Sequence, residues 1–277
     1  MSTLFVRLLV TSDLHYDPRG HLTDRAAIER MVEAMAKEQP TAVVLAGDLA
    51  HGLDAFGACV AMFRPLGCPV YVLAGNHDVW KDKVRKIDSE TLWTRELPAA
   101  TEAAGGVWLE ATTARFGNVG LAGSLAWYDY SGIDKDLGIP EHRAGDLKQH
   151  LNNDAHWIDW QRTDLAFARE LANAFMGRIE TLSESDVEHI VLVTHVPIFE
   201  AQMHRKKGDK NWGVGNAYFG HLTLGDRVLS EPKLRAVVSG HTHWGVEAQI
   251  ARRGLGPIDV RVVGSDYKIP SYTRVER

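Results

Sequence analysis

The chain has 277 residues, of which 45% are hydrophobic and 24% charged, and its 31 Lys and Arg against 36 Asp and Glu give a net charge of −5. This composition is ordinary for a soluble globular protein, and the mild negative balance argues against a dedicated nucleic-acid-binding protein. The length suits a single α/β domain, which we place over residues 1–277, with an insertion.

The cysteine content and the lengths of the apolar runs indicate the cellular compartment. Cys59 and Cys68 are the two cysteines, which excludes a disulfide framework and predicts free, buried or half-buried thiols. The apolar run near the N-terminus is interrupted by Arg7 and followed by Asp13 without a small-residue cleavage site, so we expect no signal peptide. No apolar run reaches the ~20 residues of a membrane span. The sequence therefore predicts a cytoplasmic protein without a membrane span.

The first part of the chain predicts a parallel sheet. Residues 4–11, 42–46 and 70–74 are apolar runs rich in β-branched residues, as expected of buried parallel strands. Between them, helical spacing of apolar residues predicts a helix that Thr23 or Asp24 caps, and a second helix from residue 54 to residue 63. These three strands and two helices make two consecutive βαβ units, each of which we expect to have a right-handed crossover.

The later part of the chain predicts further, mostly shorter strands. The predicted strands lie at residues 107–109, 112–116 and 119–122, then at 190–194 and 236–239, and finally at 244–251 and 258–263, where the last two are antiparallel. Gly117 and Asn118 predict the turn of a hairpin between the second and third of these strands. The strands at residues 107–109, 112–116 and 119–122 could form a second sheet or extend the first.

Residues 124–188 are interpreted as an insertion that covers one side of a crevice. Residues 124–154 have no clear period, and a loop of that length in a compact domain is usually functional or mobile. Residues 155–176 predict one long helix whose apolar stripe either holds substrate or, as we favour, packs onto the sheet. The stripe consists of Trp157, Trp160, Leu165, Ala168, Leu171 and Phe175.

A second loop, residues 200–221, has the composition of a lid. It contains the cationic cluster Arg205, Lys206 and Lys207, followed by a glycine-rich run. Beside a metal site, such a cluster would help to neutralise an anionic substrate. The alternative, a solvated charge run on a mobile loop, is equally compatible with the composition.

Polar side chains follow five of the predicted strands at the point where each strand ends. In chain order these residues are Asp13 and His15, Asp48, Asn76 and His77, His195, and His241 and His243. Because the carboxyl ends of parallel strands meet at one edge of a sheet, we expect these side chains to share a crevice. A single His-X-His pair is a weak signal, but this repeated placement after apolar strands is a strong one.

The ligand types indicate two metal ions. Carboxylate, imidazole and amide donors without thiolate suit Mn, Fe, Zn, Co or Ni, and there are too many donors for one ion. Asp48, at a central strand end, can bridge two ions through its two oxygens. Two ions ~3.5–4 Å apart clamp a phosphoryl group and hold a bridging water of lowered pKa, which serves the hydrolysis of phosphate esters.

These motifs resemble those of the calcineurin-like metallophosphoesterase superfamily. The family pattern is Asp-X-His, Gly-Asp, Gly-Asn-His-Asp/Glu, a His after a strand, and Gly-His-X-His. The corresponding blocks here are Asp13-Leu14-His15, Gly47-Asp48, Gly75-Asn76-His77-Asp78, Thr194-His195 and Gly240-His241-Thr242-His243. All five are present in order, with no departure at a ligand position. The resemblance covers the sheet core, but not residues 124–188 or 200–221.

The resemblance implies a fold and a role for each residue. The fold is a four-layer αββα sandwich of two facing mixed β-sheets flanked by helices. Asp48 would bridge two ions, Mn or Fe being favoured. His77 would stabilise the transition state or protonate the leaving oxygen, and Asp78 would orient His77. The ligands of one ion would be Asp13, His15 and His243, and those of the other Asn76, His195 and His241.

The sequence thus predicts a dinuclear phosphohydrolase that uses a metal-bridging hydroxide on a small phosphodiester or phosphomonoester. A nuclease of the same superfamily is an alternative, disfavoured by the net charge and the lack of a large second domain. A non-catalytic scaffold is a further alternative, disfavoured because no ligand is missing. We expect His51 near the substrate, together with the cationic cluster. His21, His204 and His221 are expected at the surface or behind the site.

Overall fold

The computed structural model describes residues 5–140 and 142–277, so the start of the predicted first strand and residue 141 of the predicted insertion lie outside the described residues. The strands are β1 (Arg7–Thr11), β2 (Ala42–Ala46), β3 (Val70–Leu73), β4 (Val107–Trp108), β5 (Thr113–Phe116), β6 (Val119–Ser124), β7 (His189–Thr194), β8 (Leu234–Ser239), β9 (Val246–Arg252), β10 (Leu255–Val262) and β11 (Tyr272–Glu276). The helices are α1 (Arg25–Lys37), α2 (Leu53–Ala61), α3 (Ser89–Thr91), α4 (Leu97–Ala103), α5 (His142–Leu151), α6 (Asp154–Trp157), α7 (Asp164–Glu184), α8 (Lys210–Gly215) and α9 (Leu222–Val228).

Two mixed sheets form the centre of the fold. The first has the strand order β11-β1-β2-β3-β4, in which β1 to β4 are parallel and β11 is antiparallel to β1. The second has the order β5-β6-β7-β8-β10-β9, with a parallel centre and antiparallel strands at both edges. The predicted hairpin of β5 and β6 and the antiparallel pairing of β9 with β10 are both observed.

The sheets face each other, and helices cover their outer faces. Leu8 and Val44 of the first sheet pack with Val191 and Val238 of the second in one buried apolar cluster. Helices α1 and α2 pack against the other face of the first sheet, and α7 and α9 against the other face of the second. This arrangement confirms the predicted four-layer αββα sandwich. It also directs the carboxyl ends of β1, β2, β3, β7 and β8 toward one another.

Helix α1 shows how local sequence sets an element. The Asp24 side chain accepts a hydrogen bond from the backbone N–H of Ala27 at 2.8 Å, which satisfies one of the free donors of the first turn. The buried face consists of Ala27, Ile28, Met31, Val32 and Met35. This spacing confirms the predicted helix and its apolar stripe.

The long helix predicted over residues 155–176 is divided in the structure. Helix α6 ends at Trp157, because Ile158 is extended, and α7 begins after Thr163, whose side chain accepts from the N–H of Ala166. Because of this break, the residues of the predicted stripe do not lie on one face of a single helix. Leu165, for example, is 42% exposed. Helix α7 runs on to Glu184 and packs on the second sheet, so part of residues 124–188 belongs to the outer helical layer.

Other expectations concern the last strand, the cysteines and the membrane. Residues 272–276, for which the sequence predicts no strand, form β11 beside β1. Cys59 is buried and Cys68 half-buried, and both are free thiols as predicted. Across residues 5–140 and 142–277, no helix is both long enough and apolar enough to cross a bilayer.

Candidate metal centre

The predicted ligands converge where the ends of the two sheets meet, on backbone of unusual conformation. The φ angles of Asp13, His15, Asp48, His241 and His243 are all positive, between 43° and 70°. Non-glycine residues rarely adopt this left-handed region, and such strain persists only where surrounding contacts hold it. Here the contacts join the loops to one another. The N–H of Asp13 donates to the carbonyl of Gly47 at 3.0 Å, and that of His15 to the carbonyl of Asp48 at 2.9 Å.

One cluster of possible ligands contains Asp13, His15 and His243. Their ligand atoms all lie within 4.8 Å of one another. Nε2 of His243 is 3.8 Å from Oδ1 of Asp13, and the imidazoles of His15 and His243 stack with centroids 5.2 Å apart. Both ring nitrogens of His15 are buried and have no hydrogen-bond partner among the described residues. A buried imidazole without a partner is costly unless a further group, such as a cation, binds it.

The second cluster contains Asn76, His195 and His241. Oδ1 of Asn76 lies 3.1 Å from Nε2 of His195 and 3.0 Å from Nδ1 of His241. All three side chains are largely buried, and His195 is inaccessible to solvent. This cluster adjoins Asp48, because the possible ligand atoms of Asp48, His195 and His241 all lie within 4.8 Å of one another.

Asp48 lies between the two clusters. Its Oδ2 is 3.8 Å from Nε2 of His15, and its Oδ1 is 3.5 Å from Nε2 of His195. The carboxylate is fixed by the backbone N–H of His77, which donates to Oδ1 at 2.8 Å. This position agrees with the bridging role that the resemblance implies.

The outer nitrogen of three imidazoles is hydrogen-bonded to a backbone carbonyl. Nδ1 of His195 contacts the carbonyl of Ala46 at 2.8 Å, and Nε2 of His241 that of Tyr218 at 2.9 Å. Nδ1 of His243 contacts the carbonyl of Ser265 at 2.9 Å. A carbonyl can only accept, so each outer nitrogen carries the proton and each inner nitrogen offers a lone pair to the centre. This orientation is the usual one for a metal-binding histidine.

Burial shifts the pKa of several ionisable groups of the centre. Burial raises the pKa of Asp13 and Asp48, and for Asp48 the neighbouring carboxylates of Asp13 and Asp78 add to the rise. Burial likewise lowers the pKa of His15 and His195, which favours neutral imidazoles. Deprotonated imidazoles and carboxylates crowded in one dry site are stabilised by cations, so the residues present fit a pair of metal ions.

Comparison with known proteins agrees with this chemistry. The profile of the calcineurin-like phosphoesterase family matches residues 6–245. The chain belongs to the calcineurin-like phosphoesterase family. With groups of side chains that could hold metal ions, it is a metal-dependent phosphoester hydrolase. A search among curated protein sequences gave no significant match.

Several solved structures share the fold of this calcineurin-like phosphoesterase. A phosphopantetheinyl hydrolase from Mycobacterium tuberculosis superposes with a TM-score of 0.68 at 18% identity, over 96% of this chain and 95% of that one. A dimetal phosphatase from Danio rerio gives 0.57 at 13% identity, over 93% and 87% of the two chains. A purple acid phosphatase from yellow lupin (Lupinus luteus) seeds gives 0.56 at 11% identity, over 98% of this chain but 45% of its own length.

His77 and His51 lie at the open side of the phosphoesterase centre. Nε2 of His77 is 3.9 Å from Oδ2 of Asp48, and its ring stacks on the indole of Trp80 with centroids 3.9 Å apart. The ring of His51 is 5.1 Å from that of His77 and 5.9 Å from that of His15. Both imidazoles therefore lie beside the cluster that contains His15.

Asp78 has different partners from those we expected. Its carboxylate accepts from the backbone N–H groups of Asp48 at 2.7 Å, Leu49 at 2.9 Å, Ala50 at 3.3 Å and Gly75 at 2.8 Å. The Nδ1 atom of His77, by contrast, has no hydrogen-bond partner among the described residues. Burial raises the pKa of Asp78 to about 7, although the four N–H groups act in the opposite direction. Asp78 thus joins the two ligand loops through their backbones instead of orienting an imidazole.

The predicted cationic cluster lies apart from the metal centre. Arg205 forms an ion pair with Glu200 at 2.6 Å, and the ammonium of Lys206 lies 3.6 Å from the ring centroid of Trp212. Arg205 and Lys207 line a separate surface cavity that also contains Asp134. The geometry gives no support to a substrate clamp formed by this cluster, because Arg205 is held by Glu200 and the carbonyl of Gly132 and Lys206 lies over an aromatic ring.

The three remaining histidines lie at or behind the surface. His21 is exposed, and the ring of His204 stacks on the indole of Trp244 with centroids 4.1 Å apart. His221 is buried, with Nε2 3.6 Å from Oδ2 of Asp129. These positions are at the surface or behind the candidate ligands, as we expected for these three residues.

Sequence reasoning missed the residues that build the wall of the site. A cavity of about 200 Å³ beside the candidate ligands is lined by Trp80, Leu151, Asn152, Asn153, Asp154 and Phe219 as well as by several of those ligands. Four of these come from residues 124–154, where the sequence has no period to indicate an orientation. A polar stretch that contains two consecutive asparagines and an aspartate was the available signal.

Proposed function

We propose that this chain is a dinuclear phosphodiesterase that hydrolyses small phosphodiesters. The observation that carries the dinuclear part is the position of Asp48, whose two oxygens face separate ligand clusters. In this proposal Asp48 holds both ions. Asp13, His15 and His243 would complete the ligand set of one ion, and Asn76, His195 and His241 that of the other.

Metal ions in such a pair supply charge neutralisation at the phosphoryl group and a water of lowered pKa. The protein's own residues orient and enclose the reacting groups. The carbonyls behind His195, His241 and His243 fix which nitrogen faces the centre. Asp78 holds the loops that carry Asp48 and Asn76 at a constant separation.

The preference for a diester follows from the cavity beside the centre. Within the described part of the chain, none of the residues lining it is Lys or Arg. A phosphomonoester presents a dianion that an Arg or Lys would stabilise, whereas a diester carries one charge and a second alcohol. The indole of Trp80 and the side chains of Leu151 and Phe219 suit an apolar or planar alcohol group. The structural likeness to a phosphopantetheinyl hydrolase is compatible with a substrate of this size.

His77 interacts with the reacting oxygens in this proposal. Burial is the main cause that lowers its pKa, and the neighbouring imidazoles lower it further. A neutral imidazole is a poor proton donor but a good hydrogen-bond donor, so we assign His77 to stabilising charge on a phosphoryl oxygen. His77→Ala should therefore leave metal binding intact and slow turnover.

The test measures metal content per chain and the hydrolysis of bis-p-nitrophenyl phosphate against p-nitrophenyl phosphate with added Mn²⁺. We expect about two ions per chain and faster diester turnover. Asp48→Asn should reduce turnover by about three orders of magnitude, because it weakens both ions at once. Asp186→Asn, at an exposed carboxylate distant from the ligands, is the matched control and should retain activity.

Other outcomes identify the alternatives. Faster monoester turnover would show a phosphatase. Salt-dependent cleavage of DNA or RNA would show a nuclease. Absence of metal and of turnover would contradict the proposed hydrolase and favour the scaffold. Normal activity of Asp48→Asn would contradict the dinuclear assignment. Mn or Fe as the native metals, and a cytoplasmic location, remain predictions.

A further inference from the structure

The orientation of the Asn76 amide decides whether the second cluster can hold an ion. The amide oxygen faces the inner nitrogens of His195 and His241 at 3.1 and 3.0 Å. Both inner nitrogens are acceptors, because the outer nitrogens donate to backbone carbonyls. Three lone pairs therefore point at the same space, which is favourable only when a cation lies between them.

The opposite orientation of the amide would suit a metal-free protein better. An asparagine side chain has an oxygen and an NH₂ group of similar size at its two ends. Rotation by half a turn would let the NH₂ group donate to both imidazoles, and it would remove the oxygen ligand. A further contact is needed to hold the metal-binding orientation.

Asp154 provides this contact. Its Oδ1 accepts from Nδ2 of Asn76 at 2.9 Å and from Nε1 of Trp80 at 2.7 Å, while its Oδ2 accepts from the hydroxyl of Tyr128 at 2.9 Å. The residue is 1% exposed. An ionised carboxylate only accepts hydrogen bonds, so a rotated amide would place its oxygen against an oxygen of Asp154. The Trp80 and Tyr128 donors in turn fix the carboxylate.

We propose that Asp154 is a positioning residue that keeps the amide oxygen of Asn76 directed at the second metal ion. This inference rests on the proposed dinuclear function. Asp154 is the first residue of α6, in the segment that lies outside the family motifs. The segment therefore does more than cover the crevice, because it completes a ligand set that the two sheets supply.

The experiment counts metal ions per chain by mass spectrometry after dialysis against Mn²⁺. Wild type should bind about two ions and Asp154→Ala about one. Adding Asn76→Asp to Asp154→Ala should restore the second ion, because a carboxylate offers an oxygen in either orientation. Turnover should fall and recover in parallel with the count.

Asp164→Ala is the control for a merely structural effect. Asp164 lies in the same segment and accepts hydrogen bonds from Trp127 and Lys148, but it is not in contact with a ligand. It should retain two ions, with folding checked by circular dichroism. Two ions in Asp154→Ala, failure of Asn76→Asp to restore the second ion, or an equal loss in Asp164→Ala would overturn the inference. Wild-type protein that binds no metal would instead contradict the proposed function.

Discussion

At the scale of single residues, close backbone approach is as important to this centre as the ligands themselves. The backbone of Gly75 lies directly against Asp48, and a Cβ at this position would overlap the carboxylate oxygen and the backbone nitrogen of Asp48. The same holds for Gly240, where a Cβ would overlap the side chains of Ser12 and Asp13. The glycines of the Gly-Asn-His and Gly-His motifs are thus required by space, because the ligand loops touch one another.

This packing leads to a prediction for Gly75→Ala. The added methyl group must displace the Asp48 carboxylate, so we expect loss of at least one metal ion and of most activity. Gly57→Ala is the matched control, because it lies within α2 and the space that its methyl group would occupy has no other atom within 4 Å. That variant should keep full metal content and gain up to about 1 kcal/mol of stability. Metal analysis and urea unfolding of both variants check the prediction, and full metal binding by Gly75→Ala would contradict it.

Part of the site could be read from residue types, and part could not. The ligands were recognisable because each follows an apolar strand in a family motif. The role of Asp78 was not, because its four partners are backbone N–H groups that leave no trace in the side-chain sequence. The role of Asp154 could not be predicted for a different reason. It is 78 residues from Asn76 and lies in a stretch without periodicity.

At the scale of elements, buried strands were more predictable than edge strands. The runs that form β1, β2, β3, β7 and β8 are buried almost throughout, so their composition alone indicated a parallel core. Strand β11 is largely half-exposed and its hydrogen-bonded partner β1 is distant in sequence. Composition carries little information about such a strand.

Helix α7 contributes to the stability of the domain by packing its buried face against the second sheet. Phe175 is fully buried among residues of α7, α9 and the second sheet, whereas Leu165 on the same helix is 42% exposed. Phe175→Ala should cost about 3–5 kcal/mol of the free energy of unfolding. Leu165→Ala should cost less than about 0.5 kcal/mol. Chemical denaturation of the two variants checks this difference, and equal effects would show that α7 packs through another face.

At the scale of the whole molecule, the metal centre connects the two sheets. Asp13, Asp48 and Asn76 follow strands of the first sheet, and His195, His241 and His243 follow strands of the second. Without cations, the buried carboxylates of Asp13 and Asp48 repel each other on the first sheet's side of this junction. The fold therefore gains from metal binding at the point where its halves meet.

Removal of metal should lower the stability of the entire domain. A ligand that binds only the native state adds RT ln(1 + [L]/Kd), or about 4 kcal/mol for one ion at a thousandfold excess over its Kd. We expect the unfolding temperature to fall after treatment with EDTA and to recover when Mn²⁺ is returned. Differential scanning calorimetry measures both changes. An unfolding temperature that is insensitive to metal would show that the two sheets do not depend on the centre for their association.

The stacking of Trp80 on His77 also means that the fluorescence of Trp80 should respond to metal binding. The indole lies 3.9 Å from the imidazole and donates its N–H to Asp154, so it contacts both the reacting side and the supporting side of the centre. Fluorescence of an indole is quenched by a neighbouring protonated imidazole and by nearby paramagnetic ions, but little by Zn²⁺. The difference in emission between the wild type and a Trp80→Phe variant, both without metal, gives the contribution of Trp80 among the eight tryptophans. The loss of that contribution when Mn²⁺ is added to the wild type should follow metal loading in real time.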